Sequence, residues 1–487
     1  ENSPTGIAGF DDILDGGFPK GAVVLLAGSS GSGKTIFSFQ WLFEGVKQGE
    51  HGLYISLTEP LFKIVQNLER MGFYDRSAVE QESLKIVDIR DRFAGSDYDP
   101  DQILSFIEDL VKESDVKRLC IDSITAIAYH YNERAGIRSF IFELGKMLAT
   151  LGCTTVLTSE VSSPGVFSVY DVEEFISDAI LRLDQMRVKD MFQRQLRIVK
   201  VRGKSFRSEA IPMKISSEGI HLFPKVHPPL VFDAADDRFS TGNEELDRMV
   251  EGGVLKHSTT LLAGSTGTGK TLLSLGFIMR GLRNGERCLF VGFEESRDQL
   301  LKNALSFGWD LASFEEKGLL SVYCAYPGDR LLEEHFFCIQ EVVNGDGGVV
   351  RCVVDSLSAI AHEFEEVEFS DFALRLNGFL KNSGVTSFFT AATGSLVGGS
   401  TLVGQNLSTL TDGIVMLRYV EMQGKLESVI NVLKMRGSDH VKDLRRYVID
   451  SSDGGVCIKE SLTNFEGVMT GSSKRIKELE EESERLK

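Results

Sequence analysis

The chain has 487 residues, 42% of them hydrophobic and 25% charged, with a net charge of −18. That profile belongs to a globular protein long enough to bury sizeable cores, and it excludes a disordered, collagenous or disulfide-dense chain. The acidic balance excludes a surface built throughout for nucleic acid and disfavours attachment to anionic membrane, and no run of about 18 apolar residues offers a membrane span.

The seven cysteines show no CxxC pairing, and several lie in apolar runs such as RCLFVGF and RCVVDSL. A thiol there packs as a small hydrophobe, so a reducing, cytoplasmic compartment fits. The eight histidines show no ligand spacing, so no zinc site is expected. The sequence opens at Glu1 without a basic and then apolar leader, and a secretory signal is not expected.

At about 150 residues per domain the length suggests three domains. An internal repeat reduces this to two. TGIAGFDDILDGG at residues 5–17 returns as TGNEELDRMVEGG at 241–253, and GSSGSGKT at 28–35 returns as GSTGTGKT at 264–271, both 236 residues on. IDSITAIA at 121–128 matches VDSLSAIA at 354–361, and KVRG at 200–203 matches KMRG at 434–437, with offsets of 233 and 234. Ordered matches with small drifts describe one domain and its copy, separated by short insertions. Prolines 224, 228 and 229 mark the junction. The expected domains are 1–227 and 228–470, with a charged helical tail at 471–487.

In chain order, residues 22–27 (AVVLLA) read as a buried strand, 28–33 as a loop, and a helix starts near Lys34. Further strands are expected at 53–57, 118–122 and 154–158. Strands alternating with helices predict an α/β fold, each half a mostly parallel twisted sheet flanked by helices. In the tail, Ile476, Leu479, Ser483 and Leu486 fall at heptad spacing, but two heptads are too few for a coiled coil.

GxxxxGK[ST] occurs twice, each time after a buried strand and before a helix, the context that makes it a phosphate loop. The first comprises Gly28, Ser29, Ser30, Gly31, Ser32, Gly33, Lys34 and Thr35, the second Gly264, Ser265, Thr266, Gly267, Thr268, Gly269, Lys270 and Thr271. Glycines let backbone N–H groups wrap phosphate oxygens at a helix N-terminus. Lys34 and Lys270 are expected to reach the β- and γ-phosphates of ATP, and Thr35 and Thr271 to hold Mg²⁺. Asp122 and Asp355 close apolar strands and supply the acceptor a magnesium shell needs, although a lone strand-closing aspartate is more often a turn residue.

Thr58–Glu59 and Glu294–Glu295 follow the next strand in each half. Hydrolysis or transfer needs a carboxylate that accepts a proton, so Glu59, Glu294 and Glu295 are the catalytic candidates, against the plain alternative of solvated acidic loops. Lys200, Arg202, Lys434 and Arg436 alternate on strand-like stretches and share one face. They could neutralise transition-state charge on a neighbouring subunit's nucleotide, or merely edge a strand.

The tandem phosphate loops, FEES at 293–296, VDSLSAIA, NLSTLTD at 406–412 and INVLKMRGSDH at 430–440 resemble the KaiC family of two-domain, RecA-like ATPases. The likeness spans residues 4–476 and is stronger in the second half. It implies a homohexamer of two stacked rings with ATP between subunits. The first ring would be a slow ATPase, the second a serine/threonine autokinase and autophosphatase. By position, Ser408 and Thr409 would be the phospho-acceptors. Glu294, assisted by Glu295, would activate their hydroxyls, and Lys434 and Arg436 would reach the adjacent protomer's ATP. A KaiB-like regulator is the implied partner. Asp178 aligns with Asp412, which sets Glu174 and Phe175 opposite Ser408 and Thr409, so the first half lacks acceptors there. Thr58, Val403 and His362 depart from the clock members, and the lysine- and glutamate-rich tail differs from one that recruits KaiA. Dependence on KaiA and a daily rhythm are therefore not assumed. The alternatives are a DNA-dependent RecA-like ATPase, with residues 187–207 as its basic stretch, and a nucleotide-gated scaffold. The loops after Glu160 and Ala392 are not basic, so nucleic acid is not an expected partner.

Overall fold

The computed structural model of the chain describes residues 1–90, 100–128, 134–161, 176–188, 191–206, 208–228, 236–345, 347–393, 405–422, 424–451, 455–462, 465–466 and 474–475. The chain divides into two units, Glu1–Lys225 and Val226–Lys487.

The first unit is built on a nine-stranded sheet. Six strands are parallel, in the spatial order Leu84–Asp88, His51–Ser56, Val116–Asp122, Thr154–Glu160, Val23–Gly28 and Ala179–Val188. An antiparallel run, Met191–Val201, Ala210–Ser216 and Gly219–Leu222, extends the sheet beyond Ala179–Val188. Each parallel pair needs a crossover, and the intervening helices cover both faces. Alternation along VVLLAG makes this concrete. Val24 and Leu26 enter one core with Phe37, Phe39 and Trp41 of the Lys34–Lys47 helix. Val23 and Leu25 enter the other, with residues of Pro100–Glu113 and Arg134–Leu151. Leu25 is fully buried, and its truncation to alanine would cost about 2–5 kcal/mol.

The second unit repeats this design. Its nine strands run Leu320–Cys324, Cys288–Gly292, Arg351–Asp355, Thr386–Ala392, Thr259–Gly264, Gly413–Met422, Lys425–Met435, Arg445–Asp450 and Gly455–Ser461. Phe277 of the Lys270–Arg283 helix stacks on Phe388 with ring centroids 4.1 Å apart. Both units are RecA-like α/β folds, arranged in tandem along the chain.

The copies share their buried polar devices. Arg118 donates to Glu50 Oε2 at 2.6 Å and to Pro4 O and Trp41 O at 2.7 Å. Arg351 donates to Glu286 Oε2 at 2.5 Å, to Ser240 O at 2.7 Å and to Phe277 O at 3.3 Å. Asp178 Oδ2 accepts from Val23 N at 3.0 Å, and Asp412 Oδ2 accepts from Thr259 N at 2.9 Å. This pairing matches the alignment of Asp178 with Asp412.

Lys474–Arg475 pair as a short antiparallel strand with Phe465–Glu466 instead of opening a helix. The ladder satisfies backbone groups that a helix start would leave without partners. The heptad positions of the tail, Val403, Glu174, Phe175 and most of the two loops after Glu160 and Ala392 lie outside the described residues, as do positions 189, 190 and 207 of the basic stretch. Arg202 and Arg436 stand just past the ends of Met191–Val201 and Lys425–Met435.

Candidate functional site: two phosphate loops with different surroundings

Each loop leaves the C-terminal end of a central strand and runs into a helix whose N-cap is a glycine. Gly33 (φ 106°) and Gly269 (φ 87°) are left-handed there, a conformation L side chains rarely adopt. At Gly28 a Cβ would stand 2.6 Å from Leu183 O, and at Gly264 it would run into Leu417 O. The sequence GxxxxGK therefore answers to backbone shape in both copies. Free N–H groups of the first helical turn face the loop, as anion binding at a helix N-terminus requires.

Both lysines fold back over their loops. Lys34 Nζ donates to Gly28 O and Ser29 O, each at 2.9 Å, and Lys270 Nζ donates to Gly264 O and Ser265 O at the same distance. Burial holds the Lys34 pKa below the usual lysine value, opposed first by Glu160 and then by Asp122. Burial lowers that of Lys270 too, opposed by Asp355 and then Glu294.

The strand-closing aspartates meet the loop threonines. Thr35 Oγ1 donates to Asp122 Oδ2 at 3.0 Å, and Thr271 Oγ1 donates to Asp355 Oδ2 at 2.6 Å. The neighbouring strand adds a second hydroxyl in each unit. Thr158 donates to Asp122 Oδ1 at 2.6 Å, and Thr390 donates to Asp355 Oδ1. Hydroxyl and carboxylate oxygens together are hard donors that suit Mg²⁺, which is held by few protein ligands plus substrate phosphates. Among the described residues no cluster of three or more His, Cys, Asp or Glu side chains could hold a metal by itself. Burial raises the Asp355 pKa, with the bonds from Thr271 and Thr390 pulling it down and Glu294 pushing it up.

The acidic pairs differ between the copies. Ser356, next to Asp355, donates to Glu294 Oε1 and so ties Glu294 to the site. Asn303 donates to Glu295 Oε2 at 3.1 Å. Partial desolvation raises the Glu295 pKa against that bond, with Asp355 and Glu294 adding to the rise. In the first unit Glu59 lies on the turn after His51–Ser56, where Ser56 Oγ donates to its carbonyl at 2.7 Å and accepts from its N–H at 3.2 Å. Among the described residues the Glu59 carboxylate makes no hydrogen bond or ion pair.

The late cations form a separate pair in each unit. Lys434 Nζ donates to Ser408 O at 2.8 Å and Thr411 O at 2.7 Å, and Arg436 donates to Thr409 O at 3.1 Å. Ser408 is half-buried and Thr409 exposed, on the helix Gln405–Leu410. In the first unit Lys200 Nζ donates to Ser177 O at 2.8 Å, and Arg202 donates to Asp178 Oδ1 at 3.1 Å. Met435 pairs with Gly413, which pairs with Thr260, near the start of the strand that ends in the loop at Gly264. Four residues at about 3.3 Å each separate these ends by roughly 13 Å. The structure thus gathers Lys434, Arg436, Ser408 and Thr409, and sets them at the opposite end of the sheet from their own phosphate loop.

Sequence reasoning missed Tyr54, Ser356, Asn303 and the threonines at 158 and 390. The last pair left a signal, because TSE at 158–160 and TAA at 390–392 share a threonine at the same place in both copies. All seven cysteines are free thiols. Among the described residues no helix is long and apolar enough to cross a membrane.

Comparison with known proteins agrees with this geometry. The family model described as "ATPase: KaiC" matches twice, over residues 3–227 and 239–463. Circadian clock protein KaiC3 of Synechocystis sp. is 37% identical over 479 residues, covering 97% of this chain and 94% of the relative. Circadian clock oscillator protein KaiC of Prochlorococcus marinus is 37% identical over 479 residues, with 97% and 95% covered. The protein of the same name from Synechococcus elongatus is 36% identical over 486 residues, with 99% and 93% covered. With a duplicated phosphate-loop fold and likeness along almost its entire length, this chain belongs to the KaiC family of ATPases.

Proposed function

We propose that the chain is an ATP-driven timing or signalling switch that assembles as a homohexamer of two stacked rings. In this reading the first unit hydrolyses ATP, and the second unit is a serine/threonine autokinase and autophosphatase acting on Ser408 and Thr409. Mg²⁺ would be held at Thr35 and Asp122 in one unit and at Thr271 and Asp355 in the other, and there it would neutralise phosphate charge. The relatives carry circadian clock names, and the proposal extends a timing role, and a KaiB-like regulator, to this chain.

The observation that carries the reading is the separation between the acceptors and their own loop. Ser408 and Thr409 stand beside Lys434 and Arg436, on the side of the sheet where Gly413 pairs with Thr260, and Thr260 is roughly 13 Å of strand from Gly264. That separation favours a phosphoryl group supplied by a neighbour's nucleotide, as head-to-tail packing in a closed ring would provide. In that step a Ser408 or Thr409 oxygen forms a bond to the γ-phosphorus and the bond to the β,γ-bridging oxygen breaks. ADP leaves with that electron pair, and Glu294 takes the hydroxyl proton. The phosphate then adds about −1.5 to −2 charge beside Lys434 and Arg436, which redraws a subunit contact.

The test is incubation with Mg·ATP, followed by phosphopeptide mapping, a free-phosphate assay and sizing. Phosphate on Ser408 or Thr409, absent in Glu294→Gln, is the expected result. Phosphate release with both hydroxyls unmodified would reduce the protein to an ATPase without autokinase activity.

A further inference from the structure

The two copies hold their acidic residues on different strands. In the second unit Glu294 follows the strand Cys288–Gly292 and accepts from Ser356 beside Asp355. The first unit has Thr58 at that place, and a threonine cannot take a proton from water near neutral pH. A different carboxylate stands by the first loop. Glu160 ends the strand Thr154–Glu160, which lies between the strand leading into the loop and the strand closed by Asp122.

Its backbone is fixed in register. Glu160 is the sheet partner of Gly28, the first loop residue. Its N–H donates to Thr125 Oγ1 at 2.9 Å, and Val161 N–H donates to Gly28 O at 3.2 Å. The second copy has the same frame. Ala392 is the partner of Gly264, its N–H donates to Ser358 Oγ at 2.7 Å, and Thr393 N–H donates to Gly264 O at 3.2 Å. At this position the side chains differ, a carboxylate in one copy and a methyl in the other. The Glu160 side chain is exposed, and its charge acts on Lys34 as Glu294's does on Lys270. Each loop lysine thus feels two carboxylates, the strand-closing aspartate and one glutamate, but the glutamate comes from a different strand in each copy.

We propose that Glu160 replaces the carboxylate missing at position 58 and is the base that accepts the proton of the water attacking ATP in the first unit. The water oxygen forms a bond to the γ-phosphorus, the bond to the β,γ-bridging oxygen breaks, and ADP leaves with that electron pair. The water proton passes to the Glu160 carboxylate. This deepens the ATPase reading of the first unit and rests on it.

The experiment uses the full chain carrying Glu294→Gln and Glu295→Gln, so that released phosphate reports the first unit. Adding Glu160→Gln is expected to lower kcat by about 10²–10⁴-fold, the range for a general base. The KM for ATP should change less than twofold. Introducing Thr58→Glu into the Glu160→Gln protein should restore a measurable part of kcat, which a purely structural lesion would not permit. An unchanged kcat in Glu160→Gln overturns the proposal while leaving the ATPase reading intact. So does a loss of kcat in which ATP binding falls in parallel and Thr58→Glu restores nothing. No phosphate release from the starting double variant, with ATP still bound, overturns the ATPase reading and the proposal together.

Discussion

The Tyr54 hydroxyl donates to Asp122 Oδ2, the same carboxylate oxygen that accepts from Thr35. The second copy has Phe290 at this place, so among the described residues Asp122 is held by three hydroxyls and Asp355 by two. Burial raises the Tyr54 pKa well above the usual phenol value, with the charge of Asp122 adding to it, and the group stays a donor at neutral pH.

Tyr54→Phe removes that donor and keeps the ring stacked on Phe39, at 4.1 Å between centroids. A hydrogen bond to a charged group is worth about 1.5–3 kcal/mol. The variant should lose about that much stability in the first unit. It should also need less Mg²⁺ for half-maximal ATP hydrolysis, because Oδ2 has one competitor fewer. Denaturant titration and a Mg²⁺ titration check the two effects. Unchanged values in both would show that Tyr54 only fills space.

Each phosphate loop should bind one nucleotide independently of the other's lysine. Lys34→Ala and Lys270→Ala are each expected to reduce the stoichiometry of a fluorescent ATP analogue from two to one per chain, with binding at the altered loop weakened at least tenfold. Equilibrium titration at protein concentrations well above Kd reads the stoichiometry directly. Loss of both sites in either variant would contradict this prediction.

The buried guanidinium groups should be required for folding. Arg351 is 1% exposed and pairs with Glu286, and removing one partner of such a pair costs about 3–5 kcal/mol. Arg351→Met should destabilise the second unit by about that much, and Arg118→Met the first. The chain has two tryptophans, Trp41 and Trp309, one in each unit. Fluorescence-monitored denaturation in Trp309→Phe or Trp41→Phe backgrounds assigns each loss to its unit.

The raised Glu295 pKa fixes the sign of a pH effect. A carboxyl whose folded pKa lies above its unfolded value favours the folded state at low pH, and that contribution is lost as pH rises through the folded pKa. Glu295→Gln has no charge to desolvate and keeps an acceptor for Asn303. Its denaturation midpoint should exceed the wild-type midpoint at pH 7, and the gap should close below about pH 4, where wild-type Glu295 is protonated in both states. A gap that widens on acidification would reverse the argument.

The parts legible in the sequence are those written in consecutive residues. GSSGSGKT and GSTGTGKT fix loop, lysine and threonine because left-handed glycines and a helix start are local demands. Asp122 and Asp355 each close a short apolar run, and that position at a strand end sets them beside Thr35 and Thr271. The helix starts at Lys34 as expected, and the strands expected at 53–57 and 154–158 are His51–Ser56 and Thr154–Glu160. What escaped was set by neighbours distant in the chain. Glu160 meets Gly28 across 132 positions because their strands adjoin. Tyr54 reads as an ordinary apolar strand residue until the adjacent strand brings Asp122 to its hydroxyl. Glu59 follows a strand too, and among the described residues its backbone is held by Ser56 while its carboxylate makes no hydrogen bond.

The exchange of Tyr54 for Phe290 also bears on how one chain reads its nucleotide supply. Two loops of one design sit in different fields, so they are expected to fill at different concentrations of the same ligand. Summed over the chain, occupancy rises over a wider span of ATP than a single saturation curve allows. One loop can remain charged through a fall in ATP that empties the other, and the ratio of the two occupancies then carries information that neither holds alone.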